Sequence, residues 1–126
     1  MKKVLRAWTF WIRSHLKEEC GAYLDQFVLP ELRRQPGNLR AAPLFRDLTD
    51  GTTQVVVASI WESMEHIRAY DGGSSAGPTL DPAIRAKILD RDTMVRHYVL
   101  DSIDDPALAM LAADELNAGS TGSTNA

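Results

Sequence analysis

The pattern of hydrophobic and polar positions changes period several times along the chain, and each change predicts a new element. From Val4 to Arg13 the side chains alternate with a period of two, as in a β-strand. Bulky residues occupy both faces of this strand, with Val4, Arg6, Trp8, Phe10 and Ile12 on one and Leu5, Ala7, Thr9 and Trp11 on the other. From His15 to Gln35 apolar residues recur at helical spacing, which predicts an amphipathic helix that Pro30 kinks or restarts.

The clearest pattern lies in residues 54–70, QVVVASIWESMEHIRAY. Its β-branched run is apolar on both faces and ends at Trp61, which is typical of a central strand covered on each side. Ser63 is a good N-cap for a helix that begins near Met64, and Gly72 with Gly73 ends that helix.

The remaining elements follow from turn signals. A strand over Asn38–Asp47 precedes an Asp50-Gly51 hairpin turn, so that it pairs antiparallel with the central strand. A short helix is predicted from Pro82 through Leu89, and a last strand from Met94 to Leu100.

The resulting order, β α β β α β, predicts a ferredoxin-like α+β sandwich in which strands one and three lie at the centre of an antiparallel sheet. Helices cover one face, and the other face carries valines and aromatic residues that a monomer would expose. We therefore expect a homodimer in which two sheets close into an α+β barrel. The predicted organisation is a domain over residues 1–103, a docking helix over 104–118 and a flexible tail over 119–126.

Composition narrows the class of protein. With 126 residues the chain is long enough for one domain, and its net charge of −3 without a basic cluster argues against nucleic-acid binding. The single cysteine, Cys20, excludes an internal disulfide framework, and the charged start is neither a signal peptide nor a membrane span. A cytoplasmic location and no membrane contact are expected.

Four segments together resemble the antibiotic biosynthesis monooxygenase domain family: RAWTFW, FVLPEL before a PGN turn, SIWESMEHIRAY and RHYVL. The resemblance extends from Lys3 to Leu100, and the tryptophan that ends the third strand, Trp61, is its most specific feature. It implies homodimeric α+β barrels and, in some members, cofactor-independent oxidation of small aromatic or polyketide-like substrates. Other members degrade heme.

The heme-degrading members share an Asn on the first strand, the tryptophan matched by Trp61 and an iron-ligating His near the second helix. Residues 4–13 contain no Asn, and no His lies between Ile67 and Arg96. Without an axial ligand the iron is not held, so heme oxygenation is the less favoured alternative and no cofactor is expected.

Cofactor-free chemistry needs an apolar pocket, a base and a donor that stabilises an oxyanion. His97 is the candidate base, with Tyr98 or Arg40 as the donor. Trp61 is assigned to the catalytic site by the resemblance. The predicted substrate-binding residues are Trp8, Tyr23, Phe27, Ser59 and Tyr70.

Each of these residues also has a structural interpretation. Trp61 and the other aromatic residues fit a core, and a lone His97 fits an interior or interface position. Glu62 and His66 are four apart but lack a third ligand, so no metal is expected, and Cys20 fits a small buried hydrophobe. A dimeric module that binds a small molecule without catalysis therefore stays open beside the oxygenase.

Overall fold

The computed structural model describes residues 2–73, Gly77 and residues 81–100. Its strands form one antiparallel sheet in the order β2-β3-β1-β4, and β5 also pairs with β1. The strands are β1 Lys3–Arg13, β2 Asn38–Asp47, β3 Thr52–Trp61, β4 Ile88–Arg91 and β5 Arg96–Leu100. The α-helices are α1 Lys17–Tyr23, α2 Leu29–Arg33, α3 Met64–Asp71 and α4 Pro82–Arg85.

The predicted fold is confirmed. Strands β1 and β3 lie at the centre, and the Asp50-Gly51 turn joins β2 to β3 as expected, with Gly51 at φ +84°. The expected helix and tail in residues 104–126 lie outside the described residues.

The prediction of a helix from Pro82 through Leu89 was wrong at its C-terminal end. Helix α4 ends at Arg85, and Ile88 and Leu89 belong instead to the extra strand β4. The reason is the length of β1: β5 pairs with its first half, Lys3 to Ala7, and leaves the edge of its second half unpaired. Strand β4 satisfies that edge by pairing with Phe10–Ile12.

The long helix is interrupted just before Pro30, where a kink or restart was predicted. A π-helical turn over Leu24–Val28 separates α1 from α2, and the amide of Leu29 donates to the carbonyl of Leu24. Proline has no N–H for the carbonyl four residues earlier, so the regular ladder cannot continue through this point.

The two faces of the sheet differ. The inward face of β1 and β3 packs on Leu24, Leu29, Leu32 and Ile67 of the helices and forms the core. We call the opposite side the outer face. It is formed by alternating apolar residues that do not belong to this core, namely Leu5, Ala7, Trp11, Ala42, Leu44, Val56, Ala58 and Ile60.

The start of α3 is fixed by two contacts. Ser63 caps the helix by accepting a hydrogen bond from the amide of His66, and its hydroxyl lies 2.7 Å from Nδ1 of the same residue. The His66 ring lies directly over Gly37, whose carbonyl accepts a hydrogen bond of 2.9 Å from the amide of Glu62. The turn before β2 and the start of α3 are therefore packed against each other.

We expect Gly37→Ala to destabilise the protein by about 2 kcal/mol or more, because αL strain and a clash add together. Gly37 has φ +85°, and a Cβ there would penetrate the His66 ring. Gly51→Ala is the matched control, since Gly51 has φ +84° with no atom within 4 Å of an added Cβ. Chemical denaturation measures both, and equal losses would show that the His66 contact contributes nothing.

Candidate functional site

A cavity of about 320 Å³ lies between the inward face of the sheet and the helices. Its size falls at the lower end of the range for small-molecule sites in proteins. The sheet contributes Arg6, Trp8, Phe10, Ile12 and Val57; the helical segment from Leu16 to Leu32 forms one wall; and Tyr70 with residues between Asp81 and Ile88 forms the other.

The cavity wall is mainly apolar and aromatic, with polar groups at defined places. Trp8 is fixed by a 2.9 Å hydrogen bond from its Nε1 to the carbonyl of Asp92. Glu19 and Lys87, which belong to opposite walls, form an ion pair across the cavity. A flat hydrophobic molecule is the kind of ligand that this wall accommodates.

Arg6 is the charged residue of the sheet floor, and it is only 8% exposed. Its Nε lies 3.7 Å from Oδ2 of Asp71, and its guanidinium carbon lies 5.4 Å from the centre of the Tyr70 ring. The first distance exceeds hydrogen-bond length, and both Nε of Arg6 and Oδ2 of Asp71 are buried without a hydrogen-bond partner among the described residues.

His97 faces the same side of the sheet as Arg6, since the two residues are register partners on β5 and β1. Its Nε2 is buried and has no hydrogen-bond partner in the described part of the chain. Burial lowers the pKa of His97 below its usual value of 6.5, and the positive charges of Arg6 and Arg68 lower it further, while Asp71 acts in the opposite direction. The imidazole is therefore neutral at neutral pH and able to accept a proton.

Trp61 is fully buried and belongs to the core rather than to the cavity wall. Its Nε1 donates a 2.8 Å hydrogen bond to Oγ of Ser59, which is two residues earlier on the same face of β3. Its ring packs against Tyr70 at a centroid distance of 5.4 Å. Ser59 and Trp61 thus support Tyr70 from behind, and Tyr70 faces the cavity.

The structure brings together only part of the residue set predicted from the sequence. Trp8, Tyr23 and Tyr70 line the cavity. Phe27 contacts Tyr23 at a centroid distance of 5.1 Å but is 59% exposed, and it does not line the cavity. His97 lies beside Arg6 rather than in the wall itself.

The two candidate oxyanion donors lie on the wrong side of the sheet. Tyr98 pairs with Leu5, and Arg40 pairs with Ile60, which places both on the outer face. Tyr98 is 50% exposed. Neither side chain is directed toward the cavity, so a donor for that role has to come from the inward face.

Arg6 and Asp71 are the polar residues of the site that sequence reasoning missed. The signal was present for Arg6, a charged residue in the otherwise apolar stripe of Val4, Trp8 and Phe10. For Asp71 there was no signal, because its position at the end of α3 approaches Arg6 only in the folded chain.

The other residues that were weighed for chemistry have ordinary environments. Burial and the neighbouring Glu19 raise the pKa of the Cys20 thiol to about 11, so it stays protonated and is not a nucleophile. His66 contacts Ser63 through Nδ1, and Glu62 is exposed. In the described residues no group of three or more His, Cys, Asp or Glu side chains is arranged to hold a metal ion.

Several solved structures have a similar backbone. A candidate antibiotic biosynthesis monooxygenase from Bacillus cereus matches with a TM-score of 0.58 at 17% identity, covering 81% of this chain and 96% of that one. The chain shares its fold with the antibiotic biosynthesis monooxygenases. The heme-degrading protein MhuD from Mycobacterium tuberculosis, in a structure with two hemes in its active site, matches with a TM-score of 0.56 at 17% identity over 79% of this chain and 96% of its own.

A dimeric ferredoxin-like protein from an uncultured marine organism matches with a TM-score of 0.58 at 9% identity, covering 81% of this chain and 98% of that one. These matches confirm the ferredoxin-like α+β class and the monooxygenase-type fold that the sequence predicted. No protein-family model and no functionally curated protein matches the sequence. Within the described residues, no helix has the length and hydrophobicity needed to cross a membrane.

We expect NMR titration of His97 to give a pKa below 6.5, because burial and Arg6 both disfavour the imidazolium. Arg6→Met should raise this pKa, and Asp71→Asn should lower it further, since the two charges act in opposite directions. The folded state binds fewer protons at His97 than the unfolded state, so the free energy of unfolding should fall as the pH drops through about 6.5. Shifts of the same sign in both variants would contradict this electrostatic arrangement.

Proposed function

We propose that the chain binds a small aromatic or polyketide-like molecule in the cavity and oxidises it with molecular oxygen without a cofactor. The observation that carries this proposal is the apolar cavity with aromatic walls next to a buried group of Arg6, Asp71 and His97. Such a combination of an apolar volume with a few convergent polar groups is typical of ligand sites. The fold shared with named monooxygenases supports it.

The chemistry suits a substrate that is itself the reductant. Loss of a proton from an electron-rich phenol or anthrone gives an anion that reduces oxygen directly. In an anthrone the CH₂ group becomes a carbonyl, so one oxygen atom enters the product and the other leaves as water. The protein has to accept the proton, hold the ring system and exclude water.

His97 has the role of base in this proposal. Its lowered pKa keeps the imidazole unprotonated, and no other group among the described residues forms a hydrogen bond with its buried Nε2. Trp8, Tyr23 and Tyr70 hold the aromatic system, and Trp61 acts as a positioning residue behind Tyr70.

The described part of the cavity lining does not offer the histidine that the heme-degrading members use as their iron ligand. The Cys20 thiol is kept protonated by its environment. Of the protein side chains that commonly ligate heme iron, this leaves the phenols of Tyr23 and Tyr70. The proposed reaction uses no heme.

The test combines ligand binding with oxygen uptake on a hydroxylated anthrone. Cys20→Phe should abolish binding because the larger ring fills the cavity, whereas Phe27→Ala, at an exposed position outside the wall, should leave binding unchanged. His97→Ala should retain binding and lower turnover by about 10² or more, the usual contribution of a general base. Binding is measured by tryptophan fluorescence and turnover with an oxygen electrode.

Unchanged turnover in His97→Ala would remove His97 from the reaction. Binding of the anthrone without oxygen uptake by the wild-type protein would overturn the oxygenase and leave a small-molecule binding module.

We propose that a second copy of the chain covers the outer face. Apolar residues of all three long strands lie on this face, and Leu5, Leu44 and Val56 stay partly exposed there in the single chain. A dimeric protein of the same fold supports this assignment, as does the self-complementary geometry of a two-fold sheet interface.

We expect Val56→Lys to convert the protein to a monomer, because Val56 lies between Thr9 and Leu44 in the middle of the outer face. A charge there is tolerated facing water but costs several kcal/mol when it is buried in an apolar interface. Phe27→Lys is the control, since Phe27 is already exposed on the helical side. Light scattering over a range of concentrations measures the mass, and a wild-type protein that is monomeric throughout would overturn the dimer.

A further inference from the structure

The guanidinium of Arg6 has donor capacity that the described residues do not use. The residue is 8% exposed, its Nε is buried without a hydrogen-bond partner in the part of the chain that the structure describes, and its ionic partner Asp71 lies 3.7 Å away, too far for a hydrogen bond. A buried donor without an acceptor costs about 1–3 kcal/mol, and more when the group is charged. Buried polar groups in proteins are normally hydrogen-bonded, so an unused buried donor points to an acceptor that the protein binds.

The position of Arg6 shows where such an acceptor would lie. It lies on the floor of the cavity, between the register partners Ser59 and His97, with its guanidinium over the Tyr70 ring. Arg6 therefore presents a positive charge at one end of an otherwise apolar volume. A planar guanidinium matches the geometry of a carboxylate, to which it can donate two parallel hydrogen bonds.

We propose that the cavity selects aromatic acids, and that Arg6 binds their anionic oxygen atoms. This inference rests on the proposed binding of an aromatic molecule and adds the substrate class. The ring system lies against Trp8 and Tyr23, and the acid group lies against Arg6, where it supplies the acceptor that Asp71 does not.

Other charges near the site affect the strength of this interaction without providing it. Asp71 competes with the ligand for Arg6, and Glu19 is neutralised by its ion pair with Lys87. Asp81 accepts a hydrogen bond of 2.8 Å from the amide of Ala83 as the N-cap of α4. Among the described lining residues, Arg6 is thus the cation at the sheet floor whose donors are available to an anionic ligand.

The test compares 2-naphthoate with 2-naphthamide, which have almost the same shape but differ in charge. The wild-type protein should bind the acid at least about tenfold more tightly than the amide, the difference expected for a hydrogen bond to a charged group. Arg6→Met should bring the ratio of the two affinities close to one. Calorimetry or tryptophan fluorescence gives both dissociation constants.

Two further variants separate ligand binding from a structural role of Arg6. Asp71→Asn removes the competing carboxylate and should tighten binding of the acid but not of the amide. The double variant Arg6→Met with Asp71→Asn removes both charges of this buried pair, so it controls for folding, and it should keep amide binding. Arg68→Met is the charge-matched control outside the cavity wall and should not change the ratio.

Equal binding of acid and amide by the wild-type protein would overturn the selectivity for acids while leaving an aromatic site. Failure of both probes to bind would overturn the aromatic site and this inference with it. A loss of affinity for both probes to the same extent in Arg6→Met would assign Arg6 a structural role only.

Discussion

The pairing of β1 on both sides is the constraint on which the rest of the structure depends. This strand has 11 residues, pairs with β3 along almost its whole length and is bordered on its other edge by β4 and β5. Its inward residues Trp8, Phe10 and Ile12 are buried, and burial of side chains of this size contributes roughly 1.5–3 kcal/mol each. The same three residues form the cavity floor, so the fold and the site share one surface.

Burial of the Arg6 side chain is energetically unfavourable in this setting. Removing a guanidinium from water costs several kcal/mol, and a carboxylate 3.7 Å away with a cation–π contact to Tyr70 offsets only part of that cost. An apolar residue of similar volume would stabilise the fold at least as well. Stability of the sheet therefore does not account for a charge at this place, and this is the physical ground for the proposal that Arg6 binds an acid.

Much of the fold could be predicted because its signals are local. The Asp50-Gly51 turn, the Ser63 cap and the alternation of β1 each depend on neighbouring residues, and the structure confirms all three. Strand β4 could not be predicted, because it forms where β5 leaves half of an edge unpaired, and that is a property of the assembled sheet.

In the candidate site, too, local features could be predicted and tertiary ones could not. Alternation places His97 and Val99 on one face of β5 and Tyr98 on the other, but it could not show which of these faces is shared with Arg6. Aromatic residues were expected to wall a pocket, and Trp8, Tyr23 and Tyr70 do so. Phe27 lies outside the cavity wall. It belongs to the π-helical turn, which changes the direction of its side chain relative to a regular helix. The approach of Asp71 to Arg6 joins positions 65 residues apart in sequence and depends wholly on tertiary structure.

Trp61 illustrates how a residue can matter to a site without touching a ligand. The sequence allowed it to be either core or catalytic, and in the structure it is buried, held by Ser59 and packed against Tyr70. Tyr70 in turn lies over Arg6. The Trp61–Ser59 hydrogen bond in the core is therefore connected to Arg6 through the ring of Tyr70. Arg6 is buried at the sheet floor of the cavity, whereas the Glu19–Lys87 pair is half-exposed. The proposed recognition of an acid group therefore takes place at the side of the cavity that is shielded from water, where an ionic hydrogen bond is strongest.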